Sequence, residues 1–259
     1  MTEETSGIRI HQDRHLGWIE LARGPHNYFD EVMIQAIADA CERFEADNSC
    51  RVIVLCAEGK AFCAGANFSG DSRIVKQRSP REVNPLYNHA IRIFSCTKPI
   101  VVEVQGAAIG GGLGLALVGD FRVASTNARF SANFNRLGFH PGFGLSHTLP
   151  ALVGLQKAAR LFYTGQRIDG SQALSMGLVD ELTTPEDLRS KTTALAREIA
   201  ISSPRAVQST RTTLKGLEVE KIRQAVARES TEQAWQLKLP DFQEGVAAMA
   251  ERRNPQFAD

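Results

Sequence analysis

The sequence has no apolar run approaching the ~18 residues that a membrane-crossing helix needs, and its opening stretch, MTEETSGIRI, has no apolar signal core. These absences argue against a membrane span and a secretory leader, so a soluble, cytoplasmic protein is the expectation. A formal charge of +1 over 259 residues gives no general pull toward nucleic acid or an acidic membrane, and partners must be recognised locally. The five cysteines, Cys41, Cys50, Cys56, Cys63 and Cys96, are odd in number and lack Cys-x-x-Cys spacing. That pattern argues against a disulfide frame or a zinc site and for buried free thiols in a reducing compartment. No Gly-x-x-x-x-Gly-Lys-Ser/Thr occurs, and Leu115 stands where a dinucleotide Gly-x-Gly-x-x-Gly would place its third glycine. Both phosphate cradles are thereby disfavoured, and with them a nucleotide-phosphate protein.

What is present supports a sizeable core: 43% of the residues are hydrophobic, enough for one main domain with an appendage. The chain is organised around residues 101–121, VVEVQGAAIGGGLGLALVGDF. A buried strand over 100–104 leads to Gly110, Gly111 and Gly112, then to a short apolar helix over 113–118. Glycines let the backbone approach a ligand closely, and N–H groups in the first turn of a helix lack intrahelical partners. The arrangement fits an oxyanion hole, in which donors wait for charge that develops on a carbonyl oxygen.

Taken in order, residues 8–11 and 16–21 read as an opening hairpin. Helical spacing over 30–44 places Val32, Ile34, Ile37, Ala40, Cys41 and Phe44 on one stripe, with Asp30 as N-cap. The apolar run within 51–57 suits a strand covered on both faces. Residues 58–70 are a glycine- and alanine-rich connection, and 71–84 are polar, a candidate mobile lid. Further elements are a helix over 86–94 and strands over 121–124 and 128–130. A second glycine-rich segment covers 138–154. The alternation of strand and helix predicts an α/β fold with parallel strands. Beyond Pro150 there is almost no strand signal. Helices are expected over 156–163, 171–176, 187–201, 204–216, 219–237 and 241–251, with more apolar surface than an appendage would hide, hence subunit contacts.

Three motifs, GKAFCAGAN at 59–67, KPIVVEVQGAAIGGGLG at 98–114 and GFHPGFGLS at 138–146, are joined by YTGQRI at 163–168 and ALSMGLVD at 173–180. Together they resemble the crotonase superfamily, the enoyl-CoA hydratase/isomerase family, over nearly the whole chain. The resemblance implies a spiral of ββα repeats over residues 1–182 and a helical trimerisation region over 183–259, a homotrimer or hexamer, and an acyl-CoA thioester as substrate. Coenzyme A would be part of that substrate, with no prosthetic group, metal, nucleic acid or membrane involved. The oxyanion donors would be the backbone N–H groups of Ala66 and Gly111. The stretch from Phe62 to Ala66 would form the adenine and pantetheine wall, with backbone groups near Ala64 and Ala66. Lys238 and Trp235 lie where relatives contact phosphates or the acyl pocket.

Three positions depart from the family pattern. The two hydratase glutamates would fall at Gly114 and Phe134, and the aspartate of some isomerases at Gly142. Hydration needs a general base and a general acid, and neither carboxylate is in place. His140, near neutrality in ordinary surroundings, offers a base, or else a structural histidine. Glu103, an acid inside an apolar strand, offers a catalytic acid or a partner for an arginine or lysine. Asn67, Asp71, Glu82 and His147 read as solvated or structural polar groups. The expectation is an enolate-stabilising enzyme, more an isomerase, decarboxylase, C–C hydrolase or thioesterase than a standard hydratase; the alternative is a non-catalytic acyl-CoA-binding subunit.

Overall fold

Alternation along the strands sets the architecture. In a computed structural model, which describes residues 2–68 and 84–258, β1 (Glu3–Thr5), β2 (Ile8–Asp13) and β3 (Leu16–Leu21) form an antiparallel meander. The helix α1 (Glu31–Ala46) follows, its first turn capped by Asp30, whose carboxylate accepts from the Met33 N–H at 2.9 Å. Val32, expected on its apolar stripe, is instead half exposed, because the stripe that meets the sheet is Met33, Ile34, Ile37, Ala40, Cys41 and Phe44.

The chain then makes three similar turns. Each sends one strand into a large sheet and a short second strand into a small one. The pairs are β4 (Val52–Ala57) with β5 (Ala61–Cys63), β6 (Ile100–Val104) with β7 (Ala107–Ile109), and β8 (Phe121–Ser125) with β9 (Arg129–Ser131). The helices α2 (Pro85–Phe94) and α3 (Gly111–Ala116) close the first two turns, and a 3-10 turn, Asn135–Leu137, follows the third. This is the expected ββα spiral. The second strand of the first two turns escaped the sequence reading because three residues are too few to display a period.

The second half adds α4 (Leu145–Val153), α5 (Leu155–Thr164), β10 (Arg167–Asp169), α6 (Gly170–Met176), β11 (Glu181–Thr183), α7 (Leu188–Ile201), α8 (Pro204–Gln236) and α9 (Pro240–Ala250). Two strands thus occur where no strand signal was read. β11 extends the large sheet parallel to β8, giving the order β1-β2-β3-β4-β6-β8-β11, and β10 extends the small sheet antiparallel to β9, giving β10-β9-β7-β5. The two helices expected over 204–216 and 219–237 are one, because Gly216 has open space around it and costs only its helix propensity. The division at 182/183 falls inside β11. Among the described residues no helix is long and apolar enough to cross a membrane.

Candidate active site

Because β5 and β7 are parallel neighbours, the turns leaving their C-terminal ends emerge side by side. Gly65, at φ +81°, lies against the second of these turns. A Cβ on it would stand 2.8 Å from the Ile109 carbonyl oxygen and 3.3 Å from the Gly111 nitrogen. Only glycine permits both the backbone conformation and the approach. Gly112 is pressed equally closely onto β5, where a Cβ would stand 2.0 Å from the Cys63 carbonyl oxygen. The two glycine-rich motifs are therefore one structure. Gly111 is the first residue of α3, so its N–H has no intrahelical acceptor. Ala66 pairs with Phe29 in an isolated parallel bridge, with the Phe29 N–H bonded to the Gly65 carbonyl at 3.0 Å. In such a bridge the flanking residues 65 and 67 carry the bonds, and the Ala66 N–H is directed away from Phe29.

These backbone groups open on a cavity of roughly 430 Å³ whose largest wall side chains include several aromatic rings. Phe68, Phe134 and Phe139 form one ring cluster, with Phe68 and Phe139 edge to face at 5.6 Å and Phe134 and Phe139 at 5.5 Å. Phe29, Phe143 and Tyr87 form another, with centroids at 5.5 and 6.4 Å from Phe143. The polar lining is Tyr28, Asn67, Asn84, Asn133, Arg167 and Gln233. Among the described residues no aspartate, glutamate or histidine lines it.

The three positions where the family pattern keeps a carboxylate are all filled. A Cβ on Gly114 would stand 2.7 Å from the Phe143 Cβ, so the Phe143 ring takes the space of a side chain at 114. Position 134 is itself a phenylalanine in the cavity wall. A Cβ on Gly142 would stand 2.1 Å from Tyr87 Oη and 2.5 Å from Gln233 Nε2. At these positions neighbouring side chains occupy the space a larger residue would need.

The wall between His140 and Ser146 is held by one face of α8. Glu229, with no solvent exposure, accepts the Gly144 N–H at 2.7 Å and both the N–H and the hydroxyl of Ser146 at 2.8 and 2.7 Å. It supplies the cap that Gly144, lacking a side chain, cannot give α4. Burial outweighs these bonds and holds its carboxyl above the ordinary range. One turn on, Gln233 accepts the Tyr87 hydroxyl at 2.9 Å and donates to the His140 carbonyl at 2.9 Å, while Gln236 accepts the His140 N–H at 2.6 Å. Phe143 itself sits at φ +64°, a conformation that is strained for a bulky residue and that these contacts hold in place.

Of the residues singled out from sequence, Ala64, Ala66, Gly111 and Asn67 come together at the cavity. Phe62 is fully buried behind that wall and does not line it. His140 does not line the cavity either: its Nδ1 lies 2.8 Å from the Pro141 carbonyl oxygen, and its backbone is tied to α8. Glu103 points into the opposite face of the large sheet, where Arg189 of α7 pairs with it at 3.0 Å. Burial is the larger influence and pushes its carboxyl above the ordinary range. Lys238 is exposed and outside the cavity wall, Trp235 donates its indole N–H to Glu232 at 3.0 Å, and His147 lies 2.6 Å from Glu218. Asp71, Glu82 and the candidate lid before Asn84 lie outside the described residues. All five cysteines are buried free thiols, and burial pushes Cys56, Cys63 and Cys96 up to about 12. Tyr87, Gln233 and Glu229 were not found from sequence, since Tyr87 reads as one more residue on an apolar helix face and its partner is 146 positions away.

Comparison with known proteins agrees with this fold. The profile of the enoyl-CoA hydratase/isomerase family matches residues 12–259. The chain is similar to the crotonyl-CoA hydratase of Syntrophomonas wolfei subsp. wolfei, 30% identical over 89% of each chain. It is also similar to the 1,2-epoxyphenylacetyl-CoA isomerase of Escherichia coli, 28% identical over 89% of this chain and 90% of that one. A crystal structure of an enoyl-CoA hydratase/isomerase from Pseudoalteromonas atlantica T6c is 31% identical and superposes with a TM-score of 0.88, covering 98% of this chain and 100% of that one. With the ββα spiral, the paired glycine turns and a profile match over nearly its whole length, the chain belongs to the enoyl-CoA hydratase/isomerase family, the crotonase superfamily.

Proposed function

We propose that this protein is an acyl-CoA-processing enzyme that holds a thioester carbonyl between the N–H groups of Ala66 and Gly111 and stabilises the enolate formed there. Its chemistry breaks or shifts bonds of the substrate, by isomerisation, decarboxylation, carbon–carbon hydrolysis or thioester hydrolysis, in preference to hydration. One observation carries the reading: the backbone donors are drawn together by Gly65, while Phe143, Phe134 and the Tyr87–Gln233 pair fill the places of the family's carboxylates. Hydration needs groups to deprotonate water and protonate carbon. Decarboxylation needs neither at the step that makes the enolate: the carbon–carbon bonding pair stays on the α-carbon and delocalises onto the thioester oxygen, where two N–H donors meet it.

Coenzyme A would run along the backbone from Ala64 to Ala66, with Phe62 packed beneath it and Lys238 available to a phosphate. The Ala64 N–H is already given to the His26 carbonyl at 3.0 Å, which leaves its own carbonyl as the acceptor for an adenine amino group. A homotrimer or hexamer would cover exposed apolar side chains such as Leu155, Ile201, Leu214 and Leu217. A non-catalytic acyl-CoA-binding subunit is the second reading, favoured by the same carboxylate-free lining.

Mass spectrometry of products from a thioester panel that includes crotonyl-CoA and methylmalonyl-CoA, against boiled protein, separates these. Loss of carbon dioxide or of the acyl group from a member other than crotonyl-CoA is the expected result. Hydration of crotonyl-CoA at an enzyme-like rate would refute the preference, and binding without turnover of any member would favour the non-catalytic reading.

A further inference from the structure

Four segments of the cavity wall follow the strand order of the small sheet, β5-β7-β9-β10. Ala64 to Ala66 continue from β5, Gly110 and Gly111 from β7, and Asn133 from β9, while Arg167 opens β10. The strand ends are aligned, since Cys63 faces Ala108, Ile109 faces Ser131 and Ser131 faces Arg167. Neighbouring strands lie about 4.8 Å apart, so the backbone of Arg167 is about 10 Å from β7 and about 14 Å from β5. A substrate laid across this edge reads in the same order. With coenzyme A along Ala64 to Ala66 and the thioester carbonyl between Ala66 and Gly111, the acyl chain continues toward β9 and β10. Arg167 then stands beyond the acyl chain, at the opposite edge of the sheet from coenzyme A.

Among the described residues Arg167 carries the one formal charge in the cavity lining, and its guanidinium has no hydrogen-bond or ion-pair partner. Arg122, Arg189 and Arg211, elsewhere in the fold, each hold an acid: Asp180, Glu103 and Asp120. A guanidinium stays charged and offers its donors in a planar fork that matches a carboxylate. An apolar acyl end at this exposed rim would strip water from the cation and return nothing, whereas a carboxylate returns charge-assisted hydrogen bonds. Decarboxylation draws charge away from the carboxylate that leaves, so a cation on that group would favour the ground state over the transition state. A cation two strands beyond β7 suits a carboxylate that remains on the chain.

We infer that Arg167 is a specificity-determining residue that pairs with a carboxylate at the far end of the acyl chain, so that the substrate class is a dicarboxylic acyl thioester. This rests on the thioester reading above and narrows it. The aromatic rings of the cavity pack against the methylenes between the two ends, and the cation meets the charge where the chain reaches the rim.

The test is isothermal titration of the full-length protein with dethia analogues, in which a methylene replaces the thioester sulfur and blocks hydrolysis. The ligands are the glutaryl-CoA and adipoyl-CoA analogues, their uncharged counterparts of equal chain length, pentanoyl-CoA and hexanoyl-CoA, and free coenzyme A. At least one dicarboxylic analogue is expected to bind about tenfold or more tightly than its uncharged counterpart. That preference, taken as a ratio within each protein, should collapse to within about twofold in Arg167→Gln and be kept in part by Arg167→Lys, which retains the charge. Equal binding of charged and uncharged analogues by the wild type overturns the inference alone, as does a preference that survives Arg167→Gln. A loss in that variant that is the same for every ligand, free coenzyme A included, would place the cation on the phosphates or give it a merely structural role, and overturns it too. Failure of every ligand to bind the wild type overturns the thioester reading and this inference with it.

Discussion

The two faces of the large sheet handle a charged group in opposite ways. Along β4 and β6 the residues alternate: Ile53, Leu55, Ile100, Val102 and Val104 join the main core, while Val52, Val54, Cys56 and Val101 join a smaller cluster under α7. Glu103 has the parity of Val101. On that face Arg189 pairs with it and also lies 4.5 Å over the Trp18 ring, so the buried acid has a structural partner at the protein edge. On the main-core side lies the cavity, whose polar groups among the described residues are backbone N–H, amides, two phenols and one arginine, and whose expected acid positions are closed by aromatic rings. An acid near an active-site strand is thus a candidate for chemistry only if strand parity sends it to the right face.

The comparison can be broken at several points. The largest effect is expected from Gly111→Pro, which deletes one oxyanion donor. Proline is accepted at the first position of a helix, and loss of such a donor costs about 10²–10³ in turnover. Since any Cβ at 111 would stand 2.5 Å from the Phe29 ring, Gly111→Ala is the control that keeps the N–H and suffers the same crowding. Thioester turnover that falls equally in both variants would mean that packing, not the donor, matters.

Glu229→Ala strips the acceptor from two backbone N–H groups and a hydroxyl, and should lower stability by about 3 kcal/mol, read from the urea midpoint. Restoring a family acid by Gly114→Glu should cost about 1–3 kcal/mol, because Phe143 must move, and should give no hydration of crotonyl-CoA by mass spectrometry. Hydration gained by that single change would show the aromatic closure to be incidental.

On the other face the effect is one of pH. Burial holds the Glu103 carboxyl above its ordinary range, so its protonated form favours the fold. That contribution is complete below the unfolded-state value of about 4.3 and is lost as pH rises through the raised folded-state value. Relative to Glu103→Gln, neutral throughout, the wild type should therefore lose stability as pH increases across this window, with turnover at fixed pH unchanged. Parallel stability curves would place the carboxyl in an unperturbed state. The smallest effect is expected from His140→Ala: Gln233 and Gln236 hold its backbone rather than its ring, so turnover should stay within about twofold. A loss of a hundredfold or more would bring the imidazole back as a proton carrier.

Much of the spiral was legible in the chain. The continuous apolar run of β4, the stripe and cap of α1, and the glycine turn after β7 each carry a local signal of period or composition. β5, β7, β10 and β11 were not legible, because strands of three residues acquire their pairing from neighbours rather than from their own pattern. The donor half of the site was readable because glycine is the local signature of close backbone approach. The side-chain half was not, since Phe29, Tyr87, Phe143 and Gln233 come from four separate segments and look individually like core or surface residues.

By itself the sequence determined the family, the succession of strands and helices, the place of Ala66 and Gly111 in their turns, and that positions 114, 134 and 142 carry no carboxylate. Those are properties of residue type at a position or of short-range period. Only the tertiary structure decided that Glu103 faces α7, that His140 turns its ring away from the cavity, and that a tyrosine and a glutamine 146 positions apart share the space left by Gly142. Which face a strand shows, and which distant side chains meet, depend on how the layers stack around a common core, and no local stretch of chain contains that information.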